Sequence, residues 1–260
     1  MPRITVAIAR PRKRALIWWG LTLCLGVGAC HKSIQIEKPP EAPARETIAT
    51  EPEEATPTSA QPAFASLDAY LFDCAGKRID LKNPINEIAA QMEADSLWYN
   101  KEPLSDCSGI FHRVLMAMQQ RCPEYDFPAP ETYRDTRDLA RWYHERGDLI
   151  LIQEALQSAD LIKPGAVMFY GHRNKIYTQF AIDDVLSRTG IEHMGVVVSV
   201  DKDAAGQVVS YQLFHGQTYG KIASRTNFHL RKPTRPGLPP FGNWNQQWIA
   251  FARLLSPREN

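Results

Sequence analysis

The chain has 260 residues, with 30 Lys and Arg against 29 Asp and Glu, 44% hydrophobic residues, 19 prolines and five cysteines. Its aliphatic and aromatic content is too high for a wholly disordered protein, and the charge balance lacks the basic excess of a general nucleic-acid binder, so no nucleic-acid partner is expected. The length fits one medium domain with appendages. The charges are unevenly placed: residues 1–30 hold five basic and no acidic residues, leaving 25 basic against 29 acidic in the remainder.

Arg10, Arg12, Lys13 and Arg14 precede an apolar run, Ala15–Ala29, that no charge interrupts. A basic cluster, an apolar stretch and small residues at its end make an export signal over residues 1–29. The run is shorter than the roughly 20 residues that a hydrocarbon core requires, which disfavours a retained transmembrane helix. It ends Val27-Gly28-Ala29-Cys30, which resembles the lipobox of bacterial lipoproteins; a plain secretory signal is the alternative. The resemblance implies that Cys30 becomes the lipidated first residue of the mature chain. With His31 rather than Asp behind it, it also implies an anchor on the periplasmic face of the outer membrane, in contact with the membrane through the lipid.

Residues 30–65 follow with six prolines and six glutamates and few large apolar side chains. Such a segment buries too little to offset its ordering entropy and is expected to act as a tether. The domain is then 66–260, nearly neutral, and long enough for one sizeable core.

Within the domain, Ile110, Phe111, Val114, Leu115 and Met118 recur at helical spacing, with Ser105 or Asp106 placed to cap the start and Pro123 beyond the end, so a helix is expected from Cys107 to about Gln120. Residues 134–160 read as one or two helices, with a short strand near 148–152 as the alternative. Val167–Tyr170 reads as a strand entered from the Pro164-Gly165 turn. Residues 191–200 and 207–215 are β-branched runs around a turn-rich hexapeptide, and form a hairpin. Trp248–Leu255 suits either a helix or a buried strand. A helix followed by successive strands indicates an α+β domain with an antiparallel sheet.

Export removes Cys24 and lipidation occupies Cys30, which leaves Cys74, Cys107 and Cys122 in an oxidising compartment, an odd number. If 107–120 is helical, Cys107 and Cys122 lie about 22 Å apart, beyond disulfide reach. The remaining pairing is Cys74 with Cys122; otherwise both are buried thiols. Cys107 stands where a polar loop, Ser105-Asp106, gives way to the first turn of the apolar helix. Unpaired N–H groups and the helix dipole favour a thiolate there, and the same N–H groups suit an oxyanion formed beside the sulfur. Small Ser108 and Gly109 leave room for a substrate backbone. Cys74 lies in a similar tetrad, but no helical stripe follows it.

A thiol nucleophile needs a base. Of seven histidines, His31 is in the tether, His112 points away from Cys107 around the helix, and His144 and His172 lie in polar surroundings. His193 enters a β-branched strand where an imidazole must find a partner, and His215 ends the paired strand at a similar height. If Asp201 pairs with Gln207, His193 lies opposite His215 and both point to one face; a one-residue slip sets Phe214 opposite His193 and turns His215 away.

Asp106-Cys107-Ser108-Gly109 before an apolar helix, Lys163-Pro164-Gly165-Ala166-Val167-Met168-Phe169, Glu192-His193-Met194-Gly195-Val196-Val197-Val198, Phe214-His215 and the closing Phe251–Leu255 together resemble the NlpC-type family of bacterial cell-wall cysteine peptidases, over roughly residues 95–255. The resemblance implies a papain-like α+β fold, with an N-terminal helix carrying the nucleophile packed on an antiparallel sheet. It makes Cys107 the nucleophile, His193 the base and then acid, and His215 the polar partner, with Ser108, Asp106 and Tyr99 beside the substrate. The implied reaction is hydrolysis of an amide in peptidoglycan stem peptides, with no metal or cofactor. The sequence departs from the family in lacking glycines near Tyr99, in Ala166 where an aspartate is usual, and in some 20 residues (172–191) ahead of the histidine.

Two rival readings share this fold: a non-catalytic cell-wall-binding or scaffold lipoprotein, and an amidase or acyltransferase. A zinc hydrolase is disfavoured because no HxxxH or CxxC spacing is present. The sequence names no protein activator.

Overall fold

A computed structural model describes residues 70–230 and 237–256. The export signal, Cys30 and the tether lie outside the described residues. Among the described residues no helix is long and apolar enough to cross a membrane.

The domain is α+β. A two-stranded hairpin, β1 (Leu71–Cys74) and β2 (Lys77–Asp80), leads into α1 (Lys82–Ala94), α2 (Cys107–Arg121) and α3 (Thr136–Glu145). The rest builds a six-stranded sheet: β3 (Ile150–Leu151), β4 (Ala166–Gly171), β5 (Ile191–Lys202), β6 (Val208–His215), β7 (Ser224–His229) and β8 (Trp248–Arg253), with a short α4 (Ile182–Leu186) ahead of β5. Its order is β3-β8-β4-β5-β6-β7 and each neighbouring pair is antiparallel. The three longer helices all pack against β5.

The expectation of an N-terminal cysteine helix is corrected, because a hairpin and α1 precede α2. Helix α1 buries only Ile85, Ile88 and Ala89, and Leu81 at its N-cap has no capping side chain. Both its stripe and its start signal are therefore weak. Helix α2 has both signals. Asp106 caps it by accepting from the Gly109 N–H at 2.8 Å, and Ile110, Phe111, Val114, Leu115 and Met118 are buried. Helix α3 starts at a reciprocal capping box of Asp135 and Asp138. It occupies only part of 134–160, and the alternative strand at 148–152 is the two-residue β3.

Strands β4 and β8 are adjacent near the middle of the sheet, and β4 is buried along its whole length. A strand covered on both faces loses its polar alternation, which is why Trp248–Leu255 reads ambiguously in sequence. Gly165 enters β4 with φ +91°, and a Cβ there would stand 2.7 Å from Leu81 Cδ1, so both backbone and packing call for glycine.

At the far end of α2 from Cys107, Cys122 is joined to Cys74. This bond ties β1 to the helix carrying the free thiol and closes a separation of 48 residues. Replacing both cysteines by serine is expected to lower unfolding stability by about 3–4 kcal/mol in urea titration; an unchanged midpoint would show that the hairpin is held by its apolar contacts alone.

Candidate active site

Cys107 is the free cysteine of the described domain and is partly buried. Its surroundings are organised by the helix cap. Arg134 donates through Nη1 and Nη2 to the two carboxylate oxygens of Asp106 at 3.0 and 3.1 Å, and through Nη1 to Ser108 Oγ at 3.0 Å. Ser108 Oγ also donates to Asp106 at 3.2 Å. Arg113 holds the approach to the cap by donating from Nε to the Leu104 carbonyl at 2.8 Å, where Leu104 sits at φ +53°.

The Asp106 carboxylate and the Ser108 hydroxyl are engaged with Arg134 and the cap, which leaves the Ser108 main-chain N–H as that residue's group for an oxyanion. The expectation of open space beside the first turn is corrected. The space beside Gly109 is taken by the chain itself, since a Cβ there would lie 2.3 Å from Leu104 Cα. The first-turn glycine thus admits the preceding loop rather than a substrate backbone.

The expected thiolate is also reversed. Burial, and then the negative charge of Asp106, push the Cys107 thiol up to about 12, against the lowering by the Ser108 and Cys107 N–H groups and by Arg134. The N–H groups are directed at the sulfur, as a helix start should direct them, yet desolvation outweighs them. The thiol is neutral in the resting domain.

The histidines stand on β5 and β6. At the turn Lys202 pairs with Val208; an extra residue on β6, Val209, then shifts the ladder, so that Asp201 pairs with Ser210, Val200 with Tyr211 and Ser199 with Gln212. Continued unchanged, that ladder would turn His215 to the face opposite His193. A register shift between Val197 and Ser199 leaves Val198 as the extra residue, after which Val197 pairs with Leu213 and Val196 with Phe214. His215 then falls opposite Gly195, on the same face as His193. The expected direct opposition through Asp201 and Gln207 is corrected to a diagonal pair. Gly195 makes the diagonal feasible: a Cβ there would meet Leu213 Cδ2 at 2.8 Å and His215 Cβ at 3.0 Å.

His193 Nε2 and His215 Nδ1 are 2.6 Å apart. Tyr170, opposite His193 on β4, stacks on its ring at 6.1 Å between centroids, and Phe228 meets the His215 ring edge-on at 5.6 Å. Tyr170 shares a hydrogen bond with the Tyr211 hydroxyl at 2.8 Å, and Tyr211 donates to the Phe241 carbonyl at 2.7 Å. Burial, with Arg173 second, lowers His193 to about 4, opposed by Glu192. Burial and His193 lower His215 well below its ordinary value. Both rings are therefore neutral near pH 7. When His193 Nε2–H donates to His215, its Nδ1 is left as a lone-pair base.

Gly216, the residue after His215, joins the two halves. A Cβ on it would come within 2.5 Å of Ile110 Cδ1 and 3.1 Å of the Tyr99 ring. Ile110 is one turn beyond Cys107 on the same side of α2, so that side of the helix lies against the His215 end of β6. Tyr99 is fixed by main-chain bonds with Lys221 and Gly220, each 2.8 Å, and burial, with the nearby Cys107 and Asp106, raises its hydroxyl. The structure thus gathers Cys107, Tyr99, His193 and His215 into one region, with no hydrogen bond between the thiol and either ring among the described residues. His112 is buried elsewhere, with its Nε2 2.7 Å from the Tyr133 carbonyl. Arg134 was not identified from sequence: 28 positions separate it from Asp106, and no local pattern marks an arginine that reaches that far.

Alkylation of Cys107 by iodoacetamide is expected to be slow at pH 7 and to rise beyond pH 10. Asp106→Asn keeps a capping oxygen and removes the charge, so it shifts the profile to lower pH; Arg134→Met shifts it higher. Rapid alkylation at neutral pH would overturn the neutral-thiol assignment.

His193 binds its proton near pH 4 when folded and near 6.5 when unfolded. Between those values the unfolded state holds more protons, so stability is complete above pH 6.5 and falls as pH drops toward 4, by on the order of 3 kcal/mol for this residue. Urea titrations across that window check the slope, and His193→Gln should flatten it. Comparison of the chain with protein-family models, curated proteins and solved structures found no match in any of the three.

Proposed function

We propose that the domain is an NlpC-type, papain-like cysteine hydrolase that cleaves an amide bond in peptidoglycan stem peptides. The observation that carries this reading is a free thiol at a helix start, with main-chain N–H groups directed at its sulfur, on a helix whose Ile110 meets Gly216, the residue next to a buried histidine pair bonded at 2.6 Å. In this mechanism Cys107 attacks the amide carbon while its proton passes to His193 Nδ1. His215 accepts from His193 Nε2–H and supports the imidazolium as it forms. The Cys107 and Ser108 N–H groups stabilise the tetrahedral oxyanion. His193 then protonates the leaving amine, giving a thioester, and accepts a proton from the water that cleaves it. Because the resting thiol and imidazole are both neutral, proton transfer accompanies attack and no ion pair precedes it.

The leader and Cys30 lipobox support the cellular setting in this proposal: a lipid anchor at the periplasmic face of the outer membrane, with 30–65 spanning toward the cell wall. The neutral thiol also favours a second reading, a cell-wall-binding lipoprotein of the same shape that does no chemistry. An amidase or acyltransferase would use the same residues on another substrate.

Residues 66–260 are expected to release soluble fragments from purified sacculi, and Cys107→Ala to reduce release at least a thousand-fold with an unchanged circular dichroism spectrum. Sacculi bound but left intact by both proteins would decide for the binding lipoprotein.

A further inference from the structure

A cleft of about 690 Å³ is walled by Arg173, Gln217, Thr218, Asn243, Trp244 and Gln246. One wall follows a histidine strand and another is tied to one. Gln217 and Thr218 follow His215 and Gly216 directly. Arg173 follows β4 and is secured to Glu192, the neighbour of His193: its main-chain N–H donates to Glu192 Oε2 at 2.9 Å, and its Nε lies 3.3 Å from Oε1. The Arg173 side chain is 66% exposed, and its two terminal amino groups have no partner among the described residues.

The third wall is a tight turn. Asn243 and Gln246 exchange two main-chain hydrogen bonds, each 3.0 Å, around Trp244 and Asn245. Trp244 has φ +56° and is 44% exposed, and a bulky side chain adopts that backbone region only where its surroundings impose it. The Asn245 amide bonds Asn174 across the cleft mouth, linking the turn to the Arg173 segment. Asn243 and Gln246 are 7% and 2% exposed, and their side chains bond each other at 2.6 Å. That bond leaves Asn243 Oδ1 and Gln246 Nε2 unpaired in the wall. The two unpaired atoms are themselves buried and stiffen the wall from behind, whereas the exposed guanidinium edge complements a carboxylate and an indole face complements an apolar side chain.

We propose that this cleft is a substrate subsite for a peptide carrying a free carboxylate, with Arg173 pairing the carboxylate and Trp244 packing on the adjoining residue. The inference rests on the hydrolase reading and specifies its substrate class. Arg173, which supplies the charge, lies in the 172–191 segment ahead of His193; the other walls come from the segments after β6 and before β8. It selects acidic peptides, and substrates amidated at that carboxylate are poor ligands.

The test uses the full-length chain in detergent with Cys107→Ala, titrated calorimetrically with a stem tetrapeptide and with the same peptide amidated at its carboxylates. The free acid should bind at least ten-fold more tightly. Adding Arg173→Gln should abolish the difference while leaving affinity for the amidated peptide unchanged, which also shows that the variant is folded; Trp244→Ala should weaken both. Equal affinities, a preference that survives Arg173→Gln, or no binding of either peptide would overturn the subsite. Sacculus digestion by the unmodified chain is scored separately. Digestion without carboxylate preference removes the subsite and keeps the hydrolase; preference without digestion keeps the subsite and removes the hydrolase.

Discussion

The pairing of β5 with β6 is the constraint on which the candidate site depends. A strand sends successive side chains to opposite faces, so one residue of slip separates two groups meant to meet. Here an extra residue on β6, Val209, moves the ladder into the register that would part His193 from His215, and an extra residue on β5, Val198, restores them to one face. The absent side chain at Gly195 then lets the diagonal partners close to hydrogen-bonding distance. The rest of the sheet supports this arrangement: Tyr170 from β4 backs one ring and Phe228 from β7 backs the other.

The thiol is held by a different kind of device, a charged cap. Asp106 is needed to start α2, yet its charge beside the sulfur disfavours a thiolate, and Arg134 offsets that charge with two near-parallel hydrogen bonds. Capping and activation therefore pull against each other within one turn of helix. The outcome is a neutral thiol in the same domain as a neutral imidazole pair.

Arg173 and Arg134 act on the two halves from outside the sequence motifs. Each is set by main-chain or carboxylate contacts remote in sequence, 19 positions for Arg173 with Glu192 and 28 for Arg134 with Asp106. One adds positive potential at the imidazole and lowers it; the other adds it at the thiol and lowers that as well. A less basic imidazole and a more acidic thiol both follow from the same sign of charge.

Local order was legible in the sequence wherever neighbours alone decide it. The capped apolar stripe of α2 and the β-branched hairpin each declare themselves over a dozen residues, and the helical separation of Cys107 from Cys122 bears on cysteine pairing before any fold is known. Helix α1, with a leucine at its N-cap, and β8, buried without alternation, did not declare themselves for the converse reason. What only the tertiary structure decided depends on sums over distant groups: the bulge at Val198 that selects the histidine face, the Leu104 backbone that fills the space at Gly109, the arginine that reaches Asp106, and the desolvation that raises the thiol. Sequence periodicity encodes which way a side chain points relative to its neighbours. Register, burial and charge at a site are set by the partners that folding brings to it.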